Sequence, residues 1–480
     1  MNDRKGFGSN FGFLMAAVGS AVGLGNIWGF PNKMGANGGF PFLILYLALA
    51  LCCGVIIMLG ELALGRKTGH GAVGAYQSIS KRFKWLGWLG IAAAALIFSF
   101  YSALGGYCLR YVVVNFGNLL GAEFGTNGVG GADVFQGLLS QPDVSIAFAL
   151  AFMLITMLVV MCGVGGGIER VCSVGMPALF FILIICIIRS CTLPGAADGL
   201  KYMFVPGWAV ANGIIDEAPG FWRVLTAAGG QMFFSLSLGA GVMITYGSYL
   251  DKKQDLGKST MIIVGMDTVV ALMAGLCVIP GRFALDPNGA LGGPELLFIT
   301  MQNVFDKMGP AGPVFGILFY LLVFFAAISS SISMLEVIVA HFCDKAREKG
   351  KGDRRKLYSA IAVVICAALC ALVCADGMGS NHISPAELLG LAGAKLPGWS
   401  TSWLGLFDSV AEGLLMPLGA LLMCLMISWE LKPDALRQEI LLNGENRPWV
   451  YDFFRLCVKY ITPLCMLMIL YGQISDFFIA

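Results

Sequence analysis

Two apolar stretches carry residues that sit badly in a membrane helix. Gly19-Ser20-Ala21-Val22-Gly23-Leu24-Gly25-Asn26 puts glycines and an Asn in the middle of a charge-free run, and Phe234-Ser235-Leu236-Ser237-Leu238-Gly239-Ala240-Gly241 repeats the pattern far along the chain. Helix propensity is poor at both. A helix broken in hydrocarbon exposes carbonyls on one half and N–H groups on the other, and these are tolerated only where they line a cavity or bind something. A matched pair of breaks points to an ion and substrate site near the midplane. The competing reading is that small residues only let helices pack closely. Ser329, Ser330, Ser331 and Ser333 offer hydroxyls that can bond their own backbone, join helices or present hard oxygens to an alkali cation. Asp267 is a carboxylate inside a third apolar run, which is costly unless paired or solvated, so it is a functional candidate by default. Glu61, Glu336 and Arg223 lie nearer run ends, where snorkelling or capping accounts for them as well as function does.

The elements that must position these residues follow from composition. Of 480 residues 58% are hydrophobic and only 12% charged, whereas soluble domains carry roughly 25% charged residues. Mean hydropathy is +0.80 over the whole chain, so a polytopic, all-α membrane protein is expected. The net charge of +2 makes no case for nucleic acid. The 15 cysteines sit mostly in apolar runs, where Cys packs as a small hydrophobe, without zinc or disulfide spacing. Three histidines, no HExxH, no P-loop and a Gly163–Gly167 run that does not spell G-x-G-x-x-G leave no enzyme signature; that run reads as a tight turn.

Crossing ~30 Å of hydrocarbon takes ~20 helical residues. Eleven spans are expected near 11–33, 40–65, 86–111, 145–163, 171–190, 222–249, 259–280, 312–341, 357–375, 406–429 and 454–474. With the N-terminus on the cytoplasmic side, the inner segments carry 21 Lys and Arg and the outer ones 5, so the N-terminus is expected inside. No cleavable leader is expected, because residues 1–10 are polar and the first apolar run is long and glycine-rich. Pro287, Gly289, Gly292, Gly293 and Pro294 mark turns before a helical cap at 295–307 in one of the longer outer loops.

Gly19 to Pro31, Asn37-Gly-Gly, Glu61-Leu-Ala-Leu-Gly-Arg66, Phe100-Tyr101-Ser102, Gln231 to Gly239 and Ala326-Ala-Ile-Ser-Ser-Ser331, in that order, closely resemble the neurotransmitter:sodium symporters. Eleven spans are similar to the shortened bacterial members, which implies a multi-pass protein of the cytoplasmic (inner) membrane. The resemblance implies the 5+5 inverted-repeat fold with discontinuous helices 1 and 6, a known property of that family. The repeats would be 1–190 (spans 1–5) and 191–429 (spans 6–10), with 430–480 as an inner loop and span 11. It implies a sodium-coupled amino-acid symporter, with lipid around it, working as a monomer or homodimer. The alternative is a non-transporting sensor using the same pocket.

The resemblance also implies two sodium sites. The first would use the Ala21 carbonyl, Asn26, Ser235, Asp267 and the substrate carboxylate; the second would use the carbonyls of Gly19, Val22 and Ala326 with the hydroxyls of Ser329 and Ser330. The substrate would lie among Ala21, Gly23, Gly25, Ile97, Tyr101, Phe234, Ser235, Ser237, Ala240, Ser330 and Met334. Gly23, where monoamine carriers have Asp, implies an amino acid, and Ala240, where relatives often have Phe, implies a hydrophobic, bulky or aromatic one. Asp267 beside Tyr46, Gln231 and Ser235 would replace the chloride of animal members, and on losing sodium it would take up a proton. Arg4, Asp344 and Tyr246 match the cytoplasmic gate, although Phe7 stands where Trp is expected. Gly29 replaces the Arg that pairs with an acid on span ten, of which Asp408 is the nearest here. Closure on that side is then expected from Tyr101, Phe234 and the 281–310 loop.

Overall fold

The computed structural model describes residues 6–126, 128–290, 293–352, 354–390, 398–441 and 448–478. Among these residues every regular element is helical. Among the described residues nine helices are long and apolar enough to cross a membrane: span 2 (Phe40–Thr68), span 3 (Lys81–Leu120), span 4 (Pro142–Met161), span 5 (Val164–Cys191), span 7 (Leu256–Leu285), span 8 (Gly309–Glu348), span 9 (Arg355–Gly379), span 10 (Trp403–Leu431) and span 11 (Pro448–Ser475). Span 1 is a bent pair, Asn10–Ala21 and Gly25–Ala36, with 44° between the halves. Span 6 falls into Phe221–Ser235 and Val242–Gly247, each shorter than a bilayer crossing requires. Both expected breaks are present, and the gap between eleven expected crossings and a count of nine or ten apolar helices comes from the two broken ones.

Spans 3 and 8 run well past their expected ends. The added turn of span 8, Asp344 to Glu348, is polar and continues into water, whereas the turns added to the end of span 3, Val112 to Leu120, are mostly apolar. Span 3 ends at Gly121, whose φ of 63° is left-handed. The helical cap expected at 295–307 appears as Leu296–Thr300 and Met301–Asp306.

Burial separates centre from rim. The apolar window of span 3 is 78% buried and that of span 5 only 28%. Lipid tails supply no hydrophobic force between helices, so close packing has to hold them. Span 3 shows how: a side chain at Gly106 would begin 2.6 Å from the Ala149 backbone nitrogen of span 4, and one at Gly105 would begin 2.5 Å from the Phe152 ring. Close packing is therefore the right reading of the small residues in span 3, and helix interruption is right for those in spans 1 and 6.

Of the accounts expected for charged residues near span ends, snorkelling does not fit the buried Glu336, while capping fits Arg223. Glu336 is wholly buried, gripped by Arg355 of span 9 at 2.5 and 3.0 Å and accepting from the Tyr249 hydroxyl at 2.7 Å. Pairing offsets much of the desolvation cost of such a buried charge, and losing one partner is strongly destabilising. Arg223 is exposed, and its Nη2 donates to the Ala36 carbonyl at 3.2 Å, satisfying an orphan acceptor at the end of span 1.

Candidate ion and substrate site

The break in span 1 occupies Val22 to Leu24, where Val22 turns extended (φ −75°, ψ 98°). Its backbone groups are not left bare. The Gly23 N–H donates to Asn26 Oδ1 at 3.0 Å, and the Leu24 N–H donates to the Tyr101 hydroxyl of span 3 at 2.6 Å. The Gly25 carbonyl accepts from the Gln231 amide of span 6 at 2.5 Å. Side chains from two other spans thus take over what the helix gave up.

On one side of the break lies Asp267 of span 7, fully buried. Its carboxylate accepts from Asn26 Nδ2 at 2.7 Å, from the Ser235 hydroxyl at 2.9 and 3.0 Å, and from the Tyr46 hydroxyl at 3.2 Å. Residues from spans 1, 2, 6 and 7 therefore converge on one carboxylate, as a buried charge demands. Of the expected first ion shell, the structure gathers Asn26, Ser235 and Asp267 directly, with Ala21 at the end of the helix just before the break.

On the other side the hydroxyls of span 8 meet the same break. Ser329 Oγ lies 3.5 Å from the Val22 carbonyl and 3.0 Å from that of Ala326, and Ser330 Oγ lies 3.4 Å from the Gly19 carbonyl and 3.1 Å from that of Ser20. The five oxygens of the expected second shell, from two segments about 310 positions apart in the chain, are thus brought together. Such a set of neutral oxygens suits a hard monovalent cation.

Between the two clusters the walls are tight. A side chain at Gly23 would begin 2.2 Å from Ser330 Oγ and 2.4 Å from the Tyr101 hydroxyl, and one at Gly25 would begin 3.0 Å from the Phe234 ring. Tyr101 and Phe234 meet edge to face with ring centres 6.3 Å apart. Ser237 holds a left-handed φ of 53° and donates to the Ser20 carbonyl at 3.0 Å, linking the two breaks. Ile97, Ala240 and Met334 are buried in the same apolar core as Tyr101 and Phe234.

Glu61 is the residue whose role the sequence left open. It is buried, and its Oε1 accepts from the Gly239 N–H at 2.7 Å, inside the break of span 6. It caps an interrupted helix on another span, which spacing along its own helix cannot reveal. At the opposite end of the pathway, Asp344 Oδ2 accepts from the Gly71 N–H at 3.2 Å. Phe7 packs its ring 5.7 Å from Tyr246 and 6.3 Å from Tyr249. Arg4, expected to pair with Asp344, lies outside the described residues. The 281–310 loop does reach span 1: Trp28 Nε1 donates to the Gly293 carbonyl at 3.2 Å and the Gly293 N–H to Asn32 Oδ1 at 2.6 Å.

A family model described as the sodium:neurotransmitter symporter family matches residues 4–129 and 130–478. The chain belongs to the sodium:neurotransmitter symporter family. It is 36% identical to an uncharacterized sodium-dependent transporter, YhdH, of Bacillus subtilis over 477 residues, covering 97% of each chain. It is 29% identical to an uncharacterized sodium-dependent transporter of Methanocaldococcus jannaschii, covering 99% of this chain and 91% of that one. Its fold matches the crystal structure of MhsT in complex with L-phenylalanine at a TM-score of 0.83 and 34% identity, over 98% of this chain and 100% of that one. This family member is a sodium-dependent, multi-pass membrane transporter and not an enzyme. The comparisons lend no support to the sensor reading.

Proposed function

We propose that this symporter uses a sodium gradient to import an amino acid with a hydrophobic, bulky or aromatic side chain by alternating access. The observation that carries the reading is the pair of oxygen clusters flanking one helix break, one around Asp267 and one around Ser329 and Ser330. Each would take one Na⁺: the first through Ala21, Asn26, Ser235 and Asp267 with the substrate carboxylate, the second through Gly19, Val22, Ala326, Ser329 and Ser330. Because the substrate supplies a ligand to the first ion, each raises the other's affinity, and coupling follows by linkage. The carboxylate is drawn toward the opened turn after Gly23, where any side chain would collide with Ser330 and Tyr101. The binding of L-phenylalanine by MhsT favours an amino acid, and the small Ala240 favours a large one.

Asp267 supplies fixed negative charge beside Tyr46 and Ser235, so transport proceeds without chloride, and Asp267 carries a proton back once sodium has left. The N-terminus faces the cytoplasm and the protein sits in the cell's inner membrane. Residues 1–190 and 191–429 act as the two inverted repeats, with 430–480 appended. Arg4, Asp344 and Tyr246 close the cytoplasmic side. The test is uptake of labelled phenylalanine, leucine, tryptophan and glycine into proteoliposomes. Accumulation of the large apolar amino acids is expected with an inward sodium gradient and with gluconate in place of chloride. Uptake that ignores sodium, or favours glycine, would defeat the proposal.

A further inference from the structure

Another polar cluster lies away from the assigned site, toward the face opposite the N-terminus. Lys33, in the second half of span 1, forms an ion pair with Glu412 of span 10. Glu412 is nearly buried, while the Lys33 side chain keeps 25% exposure. Gly230, in the first half of span 6, sits among these groups. A side chain there would begin 2.9 Å from Gln473 Nε2, 3.0 Å from Glu412 Oε1 and 3.6 Å from Lys33 Nζ. Gln473 belongs to span 11 and donates to the Thr226 carbonyl of span 6 at 3.2 Å. Its other amide atom, Oε1, lies 3.1 Å from where a side chain on Gly413 of span 10 would begin. Span 11 fits span 6 closely along this stretch, with side chains at Gly229 and Gly472 starting within 2.7 Å of Ile469 and 2.2 Å of Thr226. Asp408 stands one helical turn from Glu412 on the same face.

We infer that Lys33, Glu412 and Gln473 together form the closure of this symporter on the face opposite the N-terminus, with the peripheral span 11 as one of its walls. Position 29 carries no side chain in this protein; the cation stands one turn farther along span 1. The second half of span 1 and the first half of span 6 lead from the two breaks to this cluster. Span 1 is joined there to span 10 by the ion pair, and span 6 to span 11 by the hydrogen bond that the Gln473 amide donates to the Thr226 carbonyl. These are the joints that must part for that face to open. A half-buried ion pair suits the task, since it is strong while water is excluded and weak once water enters. A larger residue at Gly230 would push on the ends of Gln473 and Glu412.

The inference rests on the alternating-access reading, so its test needs a readout that does not depend on substrate. Hydrogen–deuterium exchange of the full-length protein in sodium supplies one, read on peptides covering 221–235 and 403–415. Lys33→Ala, Gln473→Ala and Gly230→Ala are each expected to speed exchange there on the order of tenfold, and to leave peptides covering 242–247 unchanged. In proteoliposomes the same variants are expected to release bound labelled phenylalanine several-fold faster. The charge swap Lys33→Glu with Glu412→Lys is expected to recover protection. Lys33→Met with Glu412→Gln removes both members of the ion pair together, with Asp408 as the remaining carboxyl, and it too is expected to exchange faster. Wild-type exchange in Gln473→Ala and in the neutral pair would overturn the inference, as would a folded charge swap no better protected than Lys33→Ala. A wild-type protein that binds no amino acid in sodium would defeat the transport reading instead, and exchange would still decide the closure.

Discussion

The two helix breaks look alike in sequence and are built differently. In span 1 the interruption covers three residues, and its polar groups are met by side chains from spans 3 and 6 and from Asn26 within the same helix. In span 6 it covers Leu236 to Gly241, and the backbone itself turns left-handed at Ser237, Gly239 and Gly241 (φ 53°, 79° and 74°). Carbonyls of span 1 gather hydroxyls from span 8, whereas span 6 is fastened by Glu61 and by the backbone of span 10. The first break therefore collects oxygen ligands, and the second shapes a wall. On the proposed reading one is an ion site with a helix around it, and the other is a structural joint.

The largest test of that contrast is Gly239→Ala. The new methyl would begin 2.1 Å from the Met416 carbonyl oxygen, at a left-handed φ. Backbone cannot retreat as a side chain can, so a loss of about 3 kcal/mol or more is expected in thermal unfolding of the purified protein. Gly121→Ala, also left-handed but with open space around it, is expected to cost only about 1 kcal/mol. A similar loss at both would remove the claim that span 6 is locked to span 10.

Next in size is Gly23→Ala in the other break. The atoms it meets are side-chain tips, Ser330 Oγ and the Tyr101 hydroxyl. The fold is expected to survive while sodium-dependent phenylalanine binding weakens at least about tenfold, measured at equilibrium on the same preparation. Third, Ser329→Ala is expected to raise the sodium concentration for half-maximal binding about tenfold, because it deletes one of five cation ligands. Glu61→Gln is the counterpart on the span 6 side. It is expected to leave sodium dependence alone and to lower stability by about 1–2 kcal/mol. A sodium shift in Glu61→Gln but not in Ser329→Ala would reverse the assignment of roles.

The smallest effect concerns how the second half of span 6 is anchored at its end. Glu439 accepts from Arg66 Nε at 2.7 Å and Lys252 Nζ at 2.6 Å, while Arg66 Nη1 also holds the Gln254 carbonyl at 2.5 Å. Burial works against the charged carboxylate, but Lys252 and Arg66 outweigh it and hold Glu439 below its usual 4.5. A depressed carboxylate adds stability that is fully present above 4.5 and lost as pH falls through the lower folded value. Melting between pH 7 and pH 3.5 is therefore expected to drop less in Glu439→Gln than in the wild type. Equal slopes would show that this anchor carries nothing.

Much of the candidate ion site was legible because its signals are local. Three glycines and an Asn within eight positions, a run of serines and a carboxylate in an apolar stretch each violate what a lipid-facing helix requires. Glu336 and Arg355 were opaque for the opposite reason: an ion pair across two spans leaves no periodic trace on either. Lys33 and Glu412 are 379 positions apart, and the family pattern drew attention to Gly29 and Asp408 instead. Each partner turned out to lie one helical turn from the expected residue, a distance that helical register decides and composition does not.

Sequence alone determined that the chain crosses a membrane repeatedly, which helices cannot stay wound, and which residues bring oxygen to those places. These are properties of short segments, set by propensity and by the cost of bare peptide groups in hydrocarbon. Only tertiary structure decided that Glu61 caps another span, that Arg355 grips Glu336, and that span 11 stands beside Lys33 and Glu412. Such pairings depend on the rotation and depth of one helix against another. Those are set by the close fit of small residues at every crossing together, and no single segment holds that information.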